Sequence, residues 1–247
     1  MRSPEKSRPS WFWPLALVIV PIIGLLAKLR ITGSENLPRE GAYILSPNHV
    51  SEIDPLVVAV GVWRLGRAPR FMAKESLFRV PVLGAALRAT GMIPVSRTSS
   101  RDSATQTMAQ ATALVEDGRG VIVYPEGTLT RDPQLWPMRG KSGAARLALA
   151  GGLPLIPVAH WGVQDVMGRY ARGISFWPPR KPVHMVIGEP IDLSDLQDRP
   201  TEPAAIAEAT DRLMKAITGL LEEIRGENAP DARWDPSSHG QTETGRL

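Results

Sequence analysis

Six short apolar runs, at 42–45, 70–73, 92–95, 121–124, 155–159 and 183–187, punctuate the chain. Each reads as a buried strand. Between and after them lie stretches with helical spacing, at 55–63, 76–89, 102–117, 142–150 and 203–225. In the last of these, Ile206, Leu213, Ile217, Leu220 and Ile224 share one face, a pattern that core packing explains. Strands alternating with helices predict an α/β layered fold, a mixed, largely parallel sheet flanked by helices.

With 247 residues, 43% of them hydrophobic and 22% charged, the chain suits one globular domain with a substantial core. It has no cysteine, which excludes disulfides, thiolate zinc sites and a thiol nucleophile. The formal net charge of +4 suits an anionic partner: nucleic acid, an acidic membrane face or a phosphorylated substrate. Nucleic acid is not expected, because no dense Lys/Arg cluster interleaves with aromatics. The 23 prolines are spread along the chain and mark turns, and no internal repeat is present.

Residues 11–27, WFWPLALVIVPIIGLLA, carry no charge and lie between Arg2, Lys6 and Arg8 on one side and Lys28 and Arg30 on the other. As a helix they would reach about 25 Å, short of a hydrocarbon core of roughly 30 Å. Pro14 and Pro21 also oppose one straight span. A signal peptide lacks its small-residue cleavage site here, and a buried core helix is the other alternative. Basic residues on both flanks favour an interfacial or re-entrant segment, with Trp11 and Trp13 as interfacial aromatics. The expected organisation is therefore a membrane-associating helix over 1–30, a catalytic domain over 31–225 and a polar, disordered tail over 226–247. The expected location is the cytoplasmic face of the cell membrane, with monotopic or N-terminal anchoring.

The strongest chemical signal is Asn48-His49-Val50-Ser51-Glu52-Ile53-Asp54-Pro55, between a strand and an apolar helix. Asp54 suits an N-cap and Pro55 the first helical residue, so the helix is expected to begin there and His49 falls in the preceding loop. On a regular helix, residues five apart point about 140° away from each other. A loop can fold back instead, so that the Asp54 carboxylate receives Nδ1–H and leaves Nε2 as a base. This is the His-Asp half of a catalytic triad, with a substrate hydroxyl in the place of serine.

Three further segments follow in order. Gly91-Met92-Ile93-Pro94-Val95-Ser96-Arg97 puts an arginine just past a strand end, and Tyr124-Pro125-Glu126-Gly127-Thr128-Leu129-Thr130-Arg131 a glutamate and a glycine just past another. Leu155-Ile156-Pro157-Val158 is a buried strand containing a proline. Ligands of α/β sheets gather where strands end, so the first two segments are expected on one rim with His49.

In this order the four blocks resemble the motifs of the glycerolipid acyltransferase family, the PlsC-like lysophosphatidate and glycerol-phosphate acyltransferases. Asn48 to Asp54 is similar to the family's NHxxxxD, GMIPVSR to its arginine block, YPEGTLTR to its FPEGTRS block and LIPV to its VPV block. Ser96 stands where an aspartate is frequent, and Leu129 where arginine is frequent; Arg131, two residues on, can offer the missing charge. The resemblance implies acyl transfer from acyl-CoA or acyl-carrier protein to a glycerol-phosphate hydroxyl, with lysophosphatidate the preferred acceptor over glycerol 3-phosphate or another lysolipid. It implies no cofactor beyond that co-substrate. His49 and Asp54 carry over as the catalytic pair, and Arg97, Glu126 and Gly127 as acceptor-binding residues. Thr128 and Arg131 in the same block, and Lys74 and Lys141 outside the motifs, are further candidates for the acceptor pocket. Arg97 suits bidentate phosphate recognition, whereas Glu126 suits a cation or a glycerol hydroxyl. The amide of Gly127 or a neighbour could stabilise a tetrahedral oxyanion.

Other readings have weaker support. Ser46 and Ser51 lie near His49, but no G-x-S-x-G elbow occurs for a serine acyl-enzyme. His49, His160, His184 and His239 show no metal-ligand spacing, so no metal is expected, and His160 and His184 read as structural strand residues. A non-catalytic carrier of lipid or acyl-CoA would not need the His49–Asp54 pair.

Overall fold

The computed structural model describes residues 6, 10–95 and 102–242. Its main sheet has five strands in the order β1-β7-β6-β2-β5. These are β1 (Ala27–Thr32), β2 (Tyr43–Pro47), β5 (Gly120–Ile122), β6 (Leu155–Trp161) and β7 (Lys181–Ile187). All neighbours run parallel except β6 and β7, which are antiparallel, so the sheet is mixed and largely parallel as expected. A parallel bridge from Phe71 to Ile122 links the β5 edge to a second, two-stranded parallel sheet, β3 (Met72–Lys74) with β4 (Ile93–Val95).

Period-two alternation sorts the strand side chains onto two faces. Ile44, Val121 and Leu155 pack on one face against α4 (Asp102–Asp117), α5 (Gly143–Gly151) and α7 (Pro203–Arg225). Leu45, Ile122, Ile156 and Met185 pack on the other, against Val58 and Val62 of α2 (Asp54–Arg64). The face predicted for the last helix is the one used, with Ile206, Leu213 and Ile217 buried.

Three expectations need correction. The helix expected over 76–89 is broken into a 3₁₀ turn, Glu75–Arg79, and a short helix α3, Leu83–Ala89. Pro81 between them has no amide hydrogen to continue the ladder. The boundary expected at residue 30 falls inside β1, which pairs with β7 over its whole length. Its sequence, AKLRIT, is not an apolar run, because an edge strand exposes alternate residues and here turns Lys28 and Arg30 outward. The expected disordered tail does not hold for residues 226–242. Trp234 stacks on His239 with ring centroids 3.5 Å apart, its carbonyl accepts from the Arg139 amide, and Arg233 pairs with Asp211 at 2.6 Å.

The apolar segment near the N-terminus forms α1 (Phe12–Leu26), which packs on α2 through Phe12, Ile23 and Leu26. Each such buried side chain contributes about 1.5–3 kcal/mol. Its opposite face leaves Trp11, Leu17, Val18 and Leu25 exposed. No helix among the described residues is long and apolar enough to cross a membrane.

Candidate active site

β2 and β5 are parallel neighbours, so their carboxyl ends open onto the same rim. His49 follows β2 by two residues and Glu126 follows β5 by four. The loop after β2 does fold back. Asp54, wholly buried, turns its Oδ2 toward His49 Nδ1 at 3.0 Å and toward the amides of Val50 and Ser51 at 2.6 and 2.8 Å. A carboxylate only accepts, so Nδ1 carries the hydrogen and Nε2 presents a lone pair. The His49 side chain keeps 16% of its surface open to solvent, and its ring lies against Tyr124 with centroids 4.2 Å apart.

Glu126 holds this loop from the other side. It is fully buried; its Oε1 accepts the His49 amide at 2.9 Å and its Oε2 the Met138 amide at 3.1 Å. The Thr130 amide donates back to the His49 carbonyl at 2.7 Å. The backbone of the base is therefore clamped at both its N–H and its C=O. Burial pushes the Glu126 carboxyl up to about 8, outweighing the two amide hydrogen bonds and the Thr130 hydroxyl, which pull it down.

That value lies above the ordinary one of about 4.3 for an unfolded glutamate. Between the two, the folded chain holds a proton that the unfolded chain has lost. The stability this contributes is complete below the unfolded value and disappears as pH rises to about 8. The expected outcome is that wild type loses stability relative to Glu126→Gln across this window, by roughly 1 kcal/mol per pH unit. Denaturant unfolding of both proteins at a series of pH values measures it. A difference that stays constant with pH would contradict the assignment.

A third clamp was not legible as part of the site. His160, expected as a structural strand residue, is buried in β6. Its Nε2 lies 2.9 Å from the Asn48 carbonyl and 3.8 Å from Asp54 Oδ2, and its backbone exchanges two hydrogen bonds with the Asn48 amide group. Burial lowers its pKa and the His49 charge adds to this, with the Asp54 charge opposing, so the ring is held neutral. The signal that could have found it is alternation along β6. Ile156, Val158 and His160 share the face on which α2 begins.

Gly127 adopts φ +69°, and a Cβ there would stand 3.0 Å from Lys141 Cδ, so glycine both makes the turn and admits the lysine. Its amide donates to the Tyr124 carbonyl at 3.1 Å and is spent within the turn, so of the expected oxyanion donors, Gly127 or a neighbour, Gly127 itself is removed. Thr128 is half-buried in the same turn, and Lys141 is exposed beside it. Arg131 is not turned to an acceptor. It is buried at 1% exposure, its Nη1 donates to Thr242 at 3.3 Å, and the tail covers it. Lys74 ends β3 with its backbone in register with Val95, two residues before Arg97; Arg97 itself lies outside the described residues. Ser51 donates its hydroxyl to the Met167 carbonyl at 2.6 Å, and Ser46 is buried in β2, so neither stands free as a nucleophile.

A profile of the acyltransferase family matches residues 28–161, over half of the chain and from β1 to the end of β6. The chain belongs to the acyltransferase family. It is 30% identical over 218 residues to a 1-acyl-sn-glycerol-3-phosphate acyltransferase of Haemophilus influenzae, covering 87% of this chain and 82% of that protein. It is 26% identical over 205 residues to the enzyme of the same name from Bacillus subtilis, covering 82% and 94%. A third relative of that name, from Borreliella burgdorferi, is 33% identical over 140 residues, which is 56% of this chain and about half, 53%, of that protein. The crystal structure of the 1-acyl-sn-glycerophosphate acyltransferase PlsC from Thermotoga maritima has the same fold, with a TM-score of 0.63 at 22% identity over 95% of this chain and 86% of that one. The acyltransferase assignment makes this chain an O-acyltransferase, and the matched span contains His49, Asp54 and Glu126.

Proposed function

We propose that this acyltransferase moves an acyl group from an acyl thioester, acyl-CoA or acyl-carrier protein, to the free hydroxyl of 1-acyl-sn-glycerol 3-phosphate, giving phosphatidate. The observation that carries the reading is the 3.0 Å contact from His49 Nδ1 to Asp54 Oδ2 at the strand-end rim. The names of the relatives support the acceptor.

In this mechanism the acceptor oxygen attacks the thioester carbonyl carbon while His49 Nε2 takes its proton. The tetrahedral intermediate collapses, the C–S bond breaks, and the imidazolium returns the proton to the departing thiolate. Asp54 holds the tautomer and stabilises the imidazolium between the two steps. No enzyme nucleophile is needed. Arg97, Lys74 and Lys141 are the cations assigned to the acceptor phosphate, with Gly127 and Thr128 as further acceptor-binding residues. Glu126 acts one step back, by holding the His49 backbone rather than by touching the acceptor. α1 is assigned to the membrane interface on the cytoplasmic side, from which a cytosolic thioester donor reaches the active site.

The test is product analysis by mass spectrometry with a panel of lysophosphatidate, glycerol 3-phosphate and neutral lysolipids. Phosphatidate from lysophosphatidate is the expected product; turnover of the neutral acceptors alone would overturn the reading. In the same assay Arg97→Ala should raise KM for the phosphorylated acceptor by roughly 10- to 100-fold, the cost of one charge-assisted contact. An effect confined to the thioester would remove Arg97 from the acceptor site.

A further inference from the structure

The loop over 172–180, which leads into β7, is exposed at every position. It presents Phe176 at 71% and Trp177 at 83% exposure, with Ile174 beside them. Single exposed apolar side chains are ordinary, but these three form a cluster. Its shape is fixed from beneath, because Lys181 Nζ donates to the carbonyls of Ser175 and Pro178 at 2.7 and 3.0 Å.

The loop touches two other features. The Arg180 amide donates to the Leu25 carbonyl at 3.0 Å, so the loop docks on the last turn of α1, where Ile22 and Leu25 are exposed. At its other end the Ser175 amide donates to Val166, and the next residue, Met167, receives the Ser51 hydroxyl from the catalytic loop. Arg169 reaches the carbonyls of Thr130 and Asp132 at 2.6 and 2.7 Å. One continuous path therefore runs from the exposed face of α1, through Phe176 and Trp177, to the rim that holds His49.

The two segments that expose these apolar side chains carry charge of one sign. No Asp or Glu occurs over 166–188, where Arg169, Arg172, Arg180 and Lys181 lie, and none occurs over 11–34, which carries Lys28 and Arg30. Exposed aromatics between basic residues match a bilayer interface, with rings at the headgroup level and cations at lipid phosphates.

We infer that Phe176 and Trp177 form a second membrane-inserting element, which enters an anionic bilayer beside α1 and holds the mouth of the active site against the lipid surface. The inference rests on the reading of α1 as an interfacial helix. Two inserted elements define a plane where one helix would leave the domain free to roll. A lipid acceptor could then reach His49 without leaving the interface.

The chain has no cysteine, so a single spin label can be placed cleanly. Full-length Trp177→Cys, and Asp198→Cys as an exposed control near the start of α7, would be labelled and bound to vesicles of phosphatidylglycerol and phosphatidylcholine. The label at 177 should become accessible to oxygen and shielded from an aqueous paramagnetic reagent, while the label at 198 stays in water. In flotation, Phe176→Ser/Trp177→Ser should lose roughly tenfold or more in vesicle partitioning with its unfolding midpoint unchanged. Binding should weaken in high salt and on phosphatidylcholine alone. A label at 177 that stays aqueous on bound protein, wild-type partitioning by the double variant, or no vesicle binding by wild type would each overturn the inference. The vesicles hold neither donor nor acceptor, so this result is independent of which lipid the enzyme acylates.

Discussion

His49→Ala is expected to lower kcat/KM for acyl transfer by about 10²–10⁴-fold, the range that a positioned general base supplies. The variant should fold. Both contacts that anchor this residue, to Glu126 and from Thr130, are made by its backbone and survive the substitution. What is lost is the ring, its bond to Asp54 and its packing on Tyr124, which together should cost on the order of 1 kcal/mol. Steady-state kinetics and thermal unfolding on the same preparation separate the two effects. If stability fell severely while the remaining folded fraction turned over normally, His49 would be structural.

Asp54→Asn should cost nearly as much activity, roughly 10³-fold, for a different reason. All three hydrogen bonds to this side chain converge on Oδ2, whereas Oδ1 is buried without a partner. An asparagine can place its carbonyl at the Oδ2 position and its amide in the unpartnered one, so the loop keeps its shape. The negative charge is gone, however, and nothing then favours the imidazolium. Three bonds to a buried charge become bonds to a neutral oxygen, which should cost about 1–3 kcal/mol of stability. The loss should appear in kcat, with KM for both substrates little changed. An asparagine variant within tenfold of wild-type kcat would show that the carboxylate charge is not used.

The sequence made the strands and the catalytic loop legible for the same physical reason: both are local. Apolar runs mark β2, β5, β6 and β7, and the proline signal places the start of α2 to within a residue; the N-cap, however, is Ile53, and Asp54, expected as the cap, is the first helical residue and turns its carboxylate back to the Val50 and Ser51 amides. β1 escaped because its partner is 154 residues away and its edge position relaxes the apolar pattern. The hydrogen bonding of Glu126 escaped too. A glutamate after a strand suggests a ligand contact, and only the fold shows that it faces the amides of His49 and Met138. Arg131 was misplaced because the chain after α7 returns to cover it, and the polar composition of that tail hides its packing residues, Trp234 and Arg233.

In the proposed mechanism His49 acts on the acceptor hydroxyl directly, with no acyl-enzyme between donor and product. Thiol release from the acyl thioester tests it most directly, measured with and without lysophosphatidate in wild type and in folded His49→Ala. Release that requires both the acceptor and His49 is the predicted result. Thiol release by His49→Ala at the wild-type rate, or a stoichiometric burst without acceptor, would contradict it.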